Sequence, residues 1–314
     1  MRILLALDGS ESSIQARDLV AGLSWPTGTA ICVVGAYELP IDWTGAAGAS
    51  MAWVGDAEDA MRDELTAELE RLAEPVAGRG WQVERRVVKG RPATAILDVA
   101  RSFEPDLIVL GSRGRGPFTT MLLGSVSAEI VDQAGCSVLV ARGRQASRVL
   151  VATDGSDVAR AIPGVLSGWG AFRAAAVETI SVAPLPERSF ELLAEVYTLG
   201  NFRPDDDRQA LLDRHRGLAE EMAQQLGERG IVATSSVLAG DAAHEIIAAA
   251  RRRGDDLIVT GTRGLHGLER MVLGSVTRNV LLHVPCSVLV VRSNIRPRGD
   301  ERTESAARPA PHPA

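Results

Sequence analysis

Lysine is almost missing from this 314-residue chain: Lys89 is the only one, and no Gly-Lys-Ser or Gly-Lys-Thr occurs. A P-loop NTPase needs that lysine to neutralise the phosphate it transfers, so this mechanism is excluded. The Gly-x-Ser-x-Gly turn that exposes a serine nucleophile is missing as well. His244-Glu245 begins like a zinc-protease helix, but Ala248 stands where the second histidine ligand belongs. Only three cysteines are present, with no Cys-x-x-Cys and no Cys/His ladder, which excludes a disulfide framework and a structural zinc site. An excess of positive charge is missing too. Forty acidic against thirty-four basic residues leave a net charge of −6, so no broad positive field exists to neutralise a nucleic-acid backbone. No apolar run approaches the roughly 20 residues of a membrane span. The short segment Ile3 to Leu7 meets Asp8 too early for a secretion signal. A reducing, cytoplasmic setting without nucleic-acid or membrane partners is therefore expected.

What is present is a repeat. Ile3-Leu-Leu-Ala-Leu-Asp-Gly-Ser10 returns as Val149-Leu-Val-Ala-Thr-Asp-Gly-Ser156, and Asp106-Leu-Ile-Val-Leu-Gly111 as Asp256-Leu-Ile-Val-Thr-Gly261. Leu123-Gly-Ser-Val126 returns as Leu273-Gly-Ser-Val276, and Cys136-Ser-Val-Leu-Val140 as Cys286-Ser-Val-Leu-Val290. The period is that of a whole domain, so one fold has been duplicated. Short β-branched apolar runs at 3–7, 30–36, 81–88, 106–110 and 137–141 alternate with amphipathic stretches at about 11–24, 57–77, 92–103 and 125–134. This pattern predicts an α/β fold: two tandem open parallel five-stranded sheets, each with helices on both faces, of the Rossmann-like type. Domains are expected at 1–144 and 145–293, with loop insertions at Gly45 to Gly55 and Pro184 to Pro204. The Arg-, Pro- and Ala-rich stretch 294–314 reads as a disordered tail.

Chemistry concentrates in Gly111-Ser-Arg-Gly114, nine residues, then Gly124-Ser125, and in its repeat Gly261-Thr-Arg-Gly264, nine residues, then Gly274-Ser275. Gly111 and Gly261 end apolar strands, where a missing Cβ admits a ligand and permits positive φ. Gly124-Ser125 and Gly274-Ser275 open helices, whose free N–H groups attract anions, with Ser125, Ser127, Ser275 and Thr277 adding hydroxyl donors. Asp8 and Asp154 end the first strand of each copy, at the mouth where open α/β sheets bind ligands. Each reads either as an acceptor for a ribose or as a helix N-cap. Arg113 and Arg263 read equally as phosphate contacts or as solvated loop residues.

This spacing, Gly-x-x-Gly-nine-Gly-Ser after Asp-Leu-Ile-Val, resembles the ATP-binding class of universal stress proteins, over about 290 residues and in two tandem copies. The resemblance implies an adenine nucleotide alpha hydrolase-like fold, strand order 3-2-1-4-5 in each copy, and pairing of the two fifth strands, made internally here or in a homodimer. It implies adenine and ribose against Ala6, Leu7, Asp8 and Ala36, and phosphates on Gly111, Gly114, Gly124, Ser125, Val126 and Ser127. The second copy supplies Ala152, Thr153, Asp154 and Val182, then Gly261, Gly264, Gly274, Ser275, Val276 and Thr277. The implied ligand is ATP with its Mg²⁺, AMP and cyclic AMP being the alternatives. The implied role is nucleotide-dependent regulation of an unknown protein partner under stress. A slow Mg²⁺-dependent ATP hydrolase and a partner-binding scaffold with vestigial sites are the competing readings. Pro163-Gly164 is expected to break or kink the first helix of the second copy. Cys136 and Cys286 read as small core residues, and Arg251-Arg-Arg253 as charge at the end of its own helix.

Overall fold

A computed structural model describes residues 1–39, 51–114, 123–184, 204–262 and 273–292. The first half runs β1 (Arg2–Ala6), α1 (Glu11–Gly22), β2 (Ala30–Tyr37), α2 (Met51–Ala77), β3 (Gln82–Lys89), α3 (Pro92–Phe103), β4 (Leu107–Gly111), α4 (Ser125–Gln133) and β5 (Ser137–Ala141). The second half repeats it as β6 (Arg148–Ala152), α5 (Asp157–Trp169), β7 (Ala176–Ala183), α6 (Pro204–Gly227), β8 (Ala233–Ala239), α7 (Ala242–Arg253), β9 (Leu257–Gly261), α8 (Ser275–His283) and β10 (Ser287–Val291). The expected tail and most of both expected insertions lie outside the described residues, although α2 already begins at Met51.

The strands form one ten-stranded sheet in the order β3-β2-β1-β4-β5-β10-β9-β6-β7-β8. Each half is parallel and ordered 3-2-1-4-5, while β5 and β10 join them antiparallel, with Val140 opposite Val288 and Val138 opposite Val290. β4, β5, β9 and β10 are buried at every residue, because helices cover both faces. The outer strand β3 carries Glu84, Arg85 and Arg86, charges that suit an edge open to water.

Each sheet face carries one apolar core that runs through both halves. One joins Leu19, Val20, Leu69 and Val76 to Ile162, Leu166, Met222 and Leu226. The other joins Ile96, Val99 and Ile130 to Ile246, Val280 and Leu281. Trp25 and Trp169 meet edge to face across the seam, with ring centroids 6.3 Å apart. Two reciprocal arginines clamp it. Beyond β5, Arg142 donates to the carbonyls of Leu281 (2.5 Å) and Cys286 (3.3 Å), and beyond β10, Arg292 donates to those of Val131 (2.6 Å) and Asp132 (3.1 Å). Each guanidinium thus sits at the C-terminal end of the other half's last helix, where carbonyls lack intrahelical partners and the dipole favours a cation.

One local expectation is corrected and another is borne out. Pro163 does not break α5, which runs unbroken from Asp157 to Trp169 with Pro163 buried in the core. The basic run does lie in the last turn of α7, as expected, and it also reaches beyond that helix: Arg251 donates to His283 O at 2.9 Å and Arg253 pairs with Glu178 and Asp255. The cysteines are free. Burial pushes the thiols of Cys32 and Cys136 up to about 12 and that of Cys286 to about 11; Cys32 lies in the core, and Cys136 and Cys286 pack half-buried against it.

Candidate functional site

At the carboxyl ends of β1, β2 and β4 lies a cleft of about 850 Å³. Its floor is the pair of glycine segments. Gly111 ends β4 and Gly124 precedes α4, and the Gly124 N–H donates to Ser112 O at 2.7 Å, which pins the helix start beside the strand end. Ser127 reinforces this by donating its hydroxyl to Gly111 O at 2.8 Å. The second half repeats both bonds: Gly274 N–H to Thr262 O at 2.7 Å and Thr277 Oγ1 to Gly261 O at 2.7 Å. The hydroxyl hydrogens of Ser127 and Thr277 are therefore used within the fold, which corrects their expected role as ligand donors. The N–H groups of Gly124 and Gly274 are likewise used.

What remains for a ligand is the first turn of each helix. An α-helix leaves its first N–H groups without intrahelical acceptors. In α1 and α5, Ser10 and Ser156 accept from the N–H groups of Ser13 and Ala159, and in α7 Asp241 accepts from His244. The N-cap residues of α4 and α8 are Gly124 and Gly274, which have no side chain to cap with, and among the described residues α3 too lacks a side-chain cap. Ser125, Val126 and Ser127, like Ser275, Val276 and Thr277, thus present bare backbone donors at the positive end of a helix dipole.

The glycines serve close approach rather than positive φ. A Cβ on Gly111 would lie 2.5 Å from the Ser12 carbonyl carbon, and one on Gly114 would lie 2.8 Å from Asp8 Oδ2. Gly124 and Gly274 have φ of −79° and −62°, and neither Gly111 nor Gly261 has positive φ, which corrects that expectation. Ser12 ties the loop down by donating to Arg113 O and accepting from Arg113 N–H at 3.2 Å. In the second half Val158 takes this place against Gly261, and Arg263 and Gly264 lie outside the described residues.

The walls come from β1 and β2. Ala6 and Ala152 close their strands, and the N–H groups of Leu7 and Thr153 donate to Val34 O and Ile180 O, each at 2.9 Å. This makes Ala36 and Val182 equivalent, each two residues beyond the acceptor. The helix caps are Ser10 and Ser156 and not Asp8 and Asp154, which corrects the capping reading. Asp8 Oδ1 instead accepts from the Ser10 N–H (3.0 Å) and hydroxyl (2.6 Å), and Asp154 Oδ1 from the Ser156 N–H at 3.0 Å, which fixes both carboxylates at the mouth.

Several lining residues went unnoticed in the sequence. Met61, Glu64, Leu65 and Glu68 line the cleft from one face of α2, at the spacing that places side chains together on a helix. Leu282 reaches the same cleft from α8 of the other half. Lys89, at the end of β3, pairs with Glu58 at 2.6 Å and is not among the residues that line the cleft. Among the described residues no three His, Cys, Asp or Glu side chains come together as a metal cage, and no helix is long and apolar enough to cross a membrane.

The model of the universal stress protein family matches this chain twice, over residues 1–142 and 146–292. A universal stress protein of Mycobacterium tuberculosis is 30% identical over 242 residues, covering 74% of this chain and 77% of that protein. A second, from Thermus aquaticus, is 36% identical over 145 residues, covering 45% of this chain and 97% of that protein. Among solved structures, a universal stress protein from Archaeoglobus fulgidus superimposes with a TM-score of 0.60 at 21% identity, covering 93% of this chain and 96% of that one.

Proposed function

The chain belongs to the universal stress protein family, and from that premise we propose that it holds an adenine nucleotide at the glycine floor of each half and acts as a nucleotide-dependent regulator in stress response. The observation that carries this reading is the uncapped first turn of α4, three backbone donors wide, opening onto the cleft beside Gly111 and Gly114. Such a turn suits a phosphate, because the N–H groups point at it and the helix dipole favours its charge. Asp8, anchored by Ser10, suits a ribose hydroxyl. Ala6, Val34 and Ala36 give the base an apolar wall. Magnesium would arrive on the phosphates of ATP, since such ions are usually bound through phosphates and few carboxylates.

Rapid turnover is not part of this function. Efficient phosphoryl transfer requires a cation on the transferred phosphate and a group that orients the nucleophile. The Gly-Lys-Ser or Gly-Lys-Thr lysine that supplies this cation in P-loop enzymes is absent from the chain, and its one lysine, Lys89, pairs with Glu58.

The test is calorimetric titration of the purified chain with ATP, AMP and cyclic AMP, alongside Gly124→Glu and Gly274→Glu. A Cβ on Gly124 would meet its nearest neighbours at 3.4 Å and its φ is ordinary, so glutamate is accommodated in the fold but places a carboxylate where a phosphate would sit. Two equivalents are expected for the native chain, one for each single variant and none for the double variant, with unchanged circular dichroism. A double variant that binds like the native chain would place the site elsewhere. Phosphate release on the order of one per second or faster, lost in the double variant, would make the protein an enzyme instead.

A further inference from the structure

The two halves share their phosphate floor but not their walls. In the first half, Leu65 of α2 lines the cleft and packs on Gly35, its Cδ1 3.4 Å from where a Cβ would stand. Gly35 follows Val34, which accepts from Leu7; in the second half Ser181 follows Ile180, which accepts from Thr153. Ser181 is therefore the counterpart of Gly35, and the residue seated on it is His215 of α6, with Nδ1 at 2.8 Å from the serine oxygen. An aliphatic contact has become a polar chain.

That chain fixes the tautomer. The Ser181 hydroxyl donates its one hydrogen to Thr153 O at 2.8 Å, so its oxygen accepts from His215 and Nδ1 carries the ring proton. Neutral His215 then has Nε2 as a bare acceptor, with no other hydrogen bond among the described residues. Burial and the neighbouring Arg214 lower its pKa, while Asp154 across the mouth opposes them, so the neutral form prevails near neutral pH. Leu65, its counterpart, lines the first cleft, and the ring feels the charge of Asp154, so the imidazole stands at the corresponding wall of the second site.

We propose that His215 determines which base the second half accepts, its Nε2 taking a hydrogen bond from an exocyclic amino group and disfavouring a ring that offers a carbonyl there. The inference rests on the nucleotide reading above and adds a selectivity that Leu65 cannot give the first half. Two acceptors facing each other leave a polar group unpaired, whereas amino to imidazole is a made bond. The selectivity is proton-linked, because a protonated imidazole offers Nε2–H and accepts nothing.

The experiment isolates the second site in the full-length Gly124→Glu chain and titrates it with ATP and with inosine triphosphate, which carries a carbonyl in place of the amino group. At pH 7.5 ATP is expected to bind about tenfold more tightly, and at pH 5.5 the preference narrows or reverses. His215→Leu, which installs the first half's residue, should abolish both the preference and its pH dependence while ATP binding persists. A preference that survives His215→Leu overturns the inference, as does equal affinity for the two triphosphates at pH 7.5. If the Gly124→Glu chain binds neither compound while the native chain binds one equivalent, His215 has no such role and the first-half reading stands. A native chain that binds no nucleotide removes both.

Discussion

Truncating the reciprocal arginines measures what holds the two halves in one sheet. Arg142→Ala deletes the charged hydrogen bonds to Leu281 O at 2.5 Å, near the end of α8, and to Cys286 O at 3.3 Å, just before β10, among its contacts. Charged hydrogen bonds contribute about 1.5–3 kcal/mol each. The sum is a ceiling, because burial also penalises the guanidinium and lowers its pKa to about 10. About 2–4 kcal/mol is the expected loss, and the same for Arg292→Ala, which deletes the bonds to Val131 O and Asp132 O. The β5–β10 register places Arg142 opposite Cys286 and Arg292 opposite Cys136, six residues apart along the pair. At about 3.4 Å per residue that is roughly 20 Å, far enough for the effects to add. The double variant should lose about 4–8 kcal/mol, comparable with the whole stability of an ordinary domain. Urea unfolding followed by tryptophan fluorescence suits the question, since Trp25 and Trp169 meet at the same seam. Arg142→Met, which keeps the apolar stem, separates packing from hydrogen bonding. A double variant that loses less than about 1 kcal/mol would refute the clamp, and full recovery in Arg142→Met would assign it to packing.

Two further outcomes follow from particular distances and charges. Gly111→Ala should cost about 1–3 kcal/mol by overpacking, since its Cβ would fall 2.5 Å from Ser12 backbone; Gly261→Ala should cost less, because the nearest atom is the Val158 side chain at 3.0 Å. Thermal melts of the two variants rank them, and equal losses would contradict the geometry. His215 has a folded pKa below its ordinary 6.5, so the unfolded chain takes up this proton first as pH falls. Its contribution is fully present above pH 6.5 and is lost as pH drops through the lowered folded value. The stability difference between the native chain and His215→Leu should therefore move in His215→Leu's favour below pH 6.5, and a difference that is flat with pH would refute the assignment.

Local pattern carried the elements and the floor of the site. Continuous apolar runs such as Leu107 to Leu110 marked strands covered on both faces, and the glycine spacing placed Gly111 at a strand end and Gly124 at a helix start, where they lie. The same pattern misjudged how those glycines act. Spacing reveals that a side chain is missing, but only the packing of α1 against β4 shows that Ser12 occupies the space a Cβ would take. Pro163 misled for a related reason: one lost helical hydrogen bond weighs less than a buried apolar face, so tertiary packing overrode propensity. The arginine clamp and the cross-half reach of Leu282 join residues more than a hundred positions apart, beyond any local pattern. His215 did leave a trace. It is a polar residue where the repeat has Leu65, opposite a serine where the repeat has glycine, and two coupled departures of that kind can be found by comparing the two copies.

The division between a shared floor and divergent walls has a physical origin. The floor is made of main-chain N–H groups, so substitutions that leave the glycines in place cannot alter it, and both halves keep Gly-Ser-Val-Ser or Gly-Ser-Val-Thr at the helix start. The walls are side chains and change one residue at a time, which is how Leu65 and Gly35 come to face His215 and Ser181. The nine-residue helix α8 begins at the glycine floor of the second half, and its Leu282, in the last turn, lines the cleft of the first. The first-half counterpart of Leu282 is Asp132, which pairs with Arg278 at 3.2 Å. The second half thus lends an apolar wall to the first cleft, and α4 answers with a carboxylate held in an ion pair on α8. A helix about 13 Å long runs from the glycine floor of the second half to the cleft of the first.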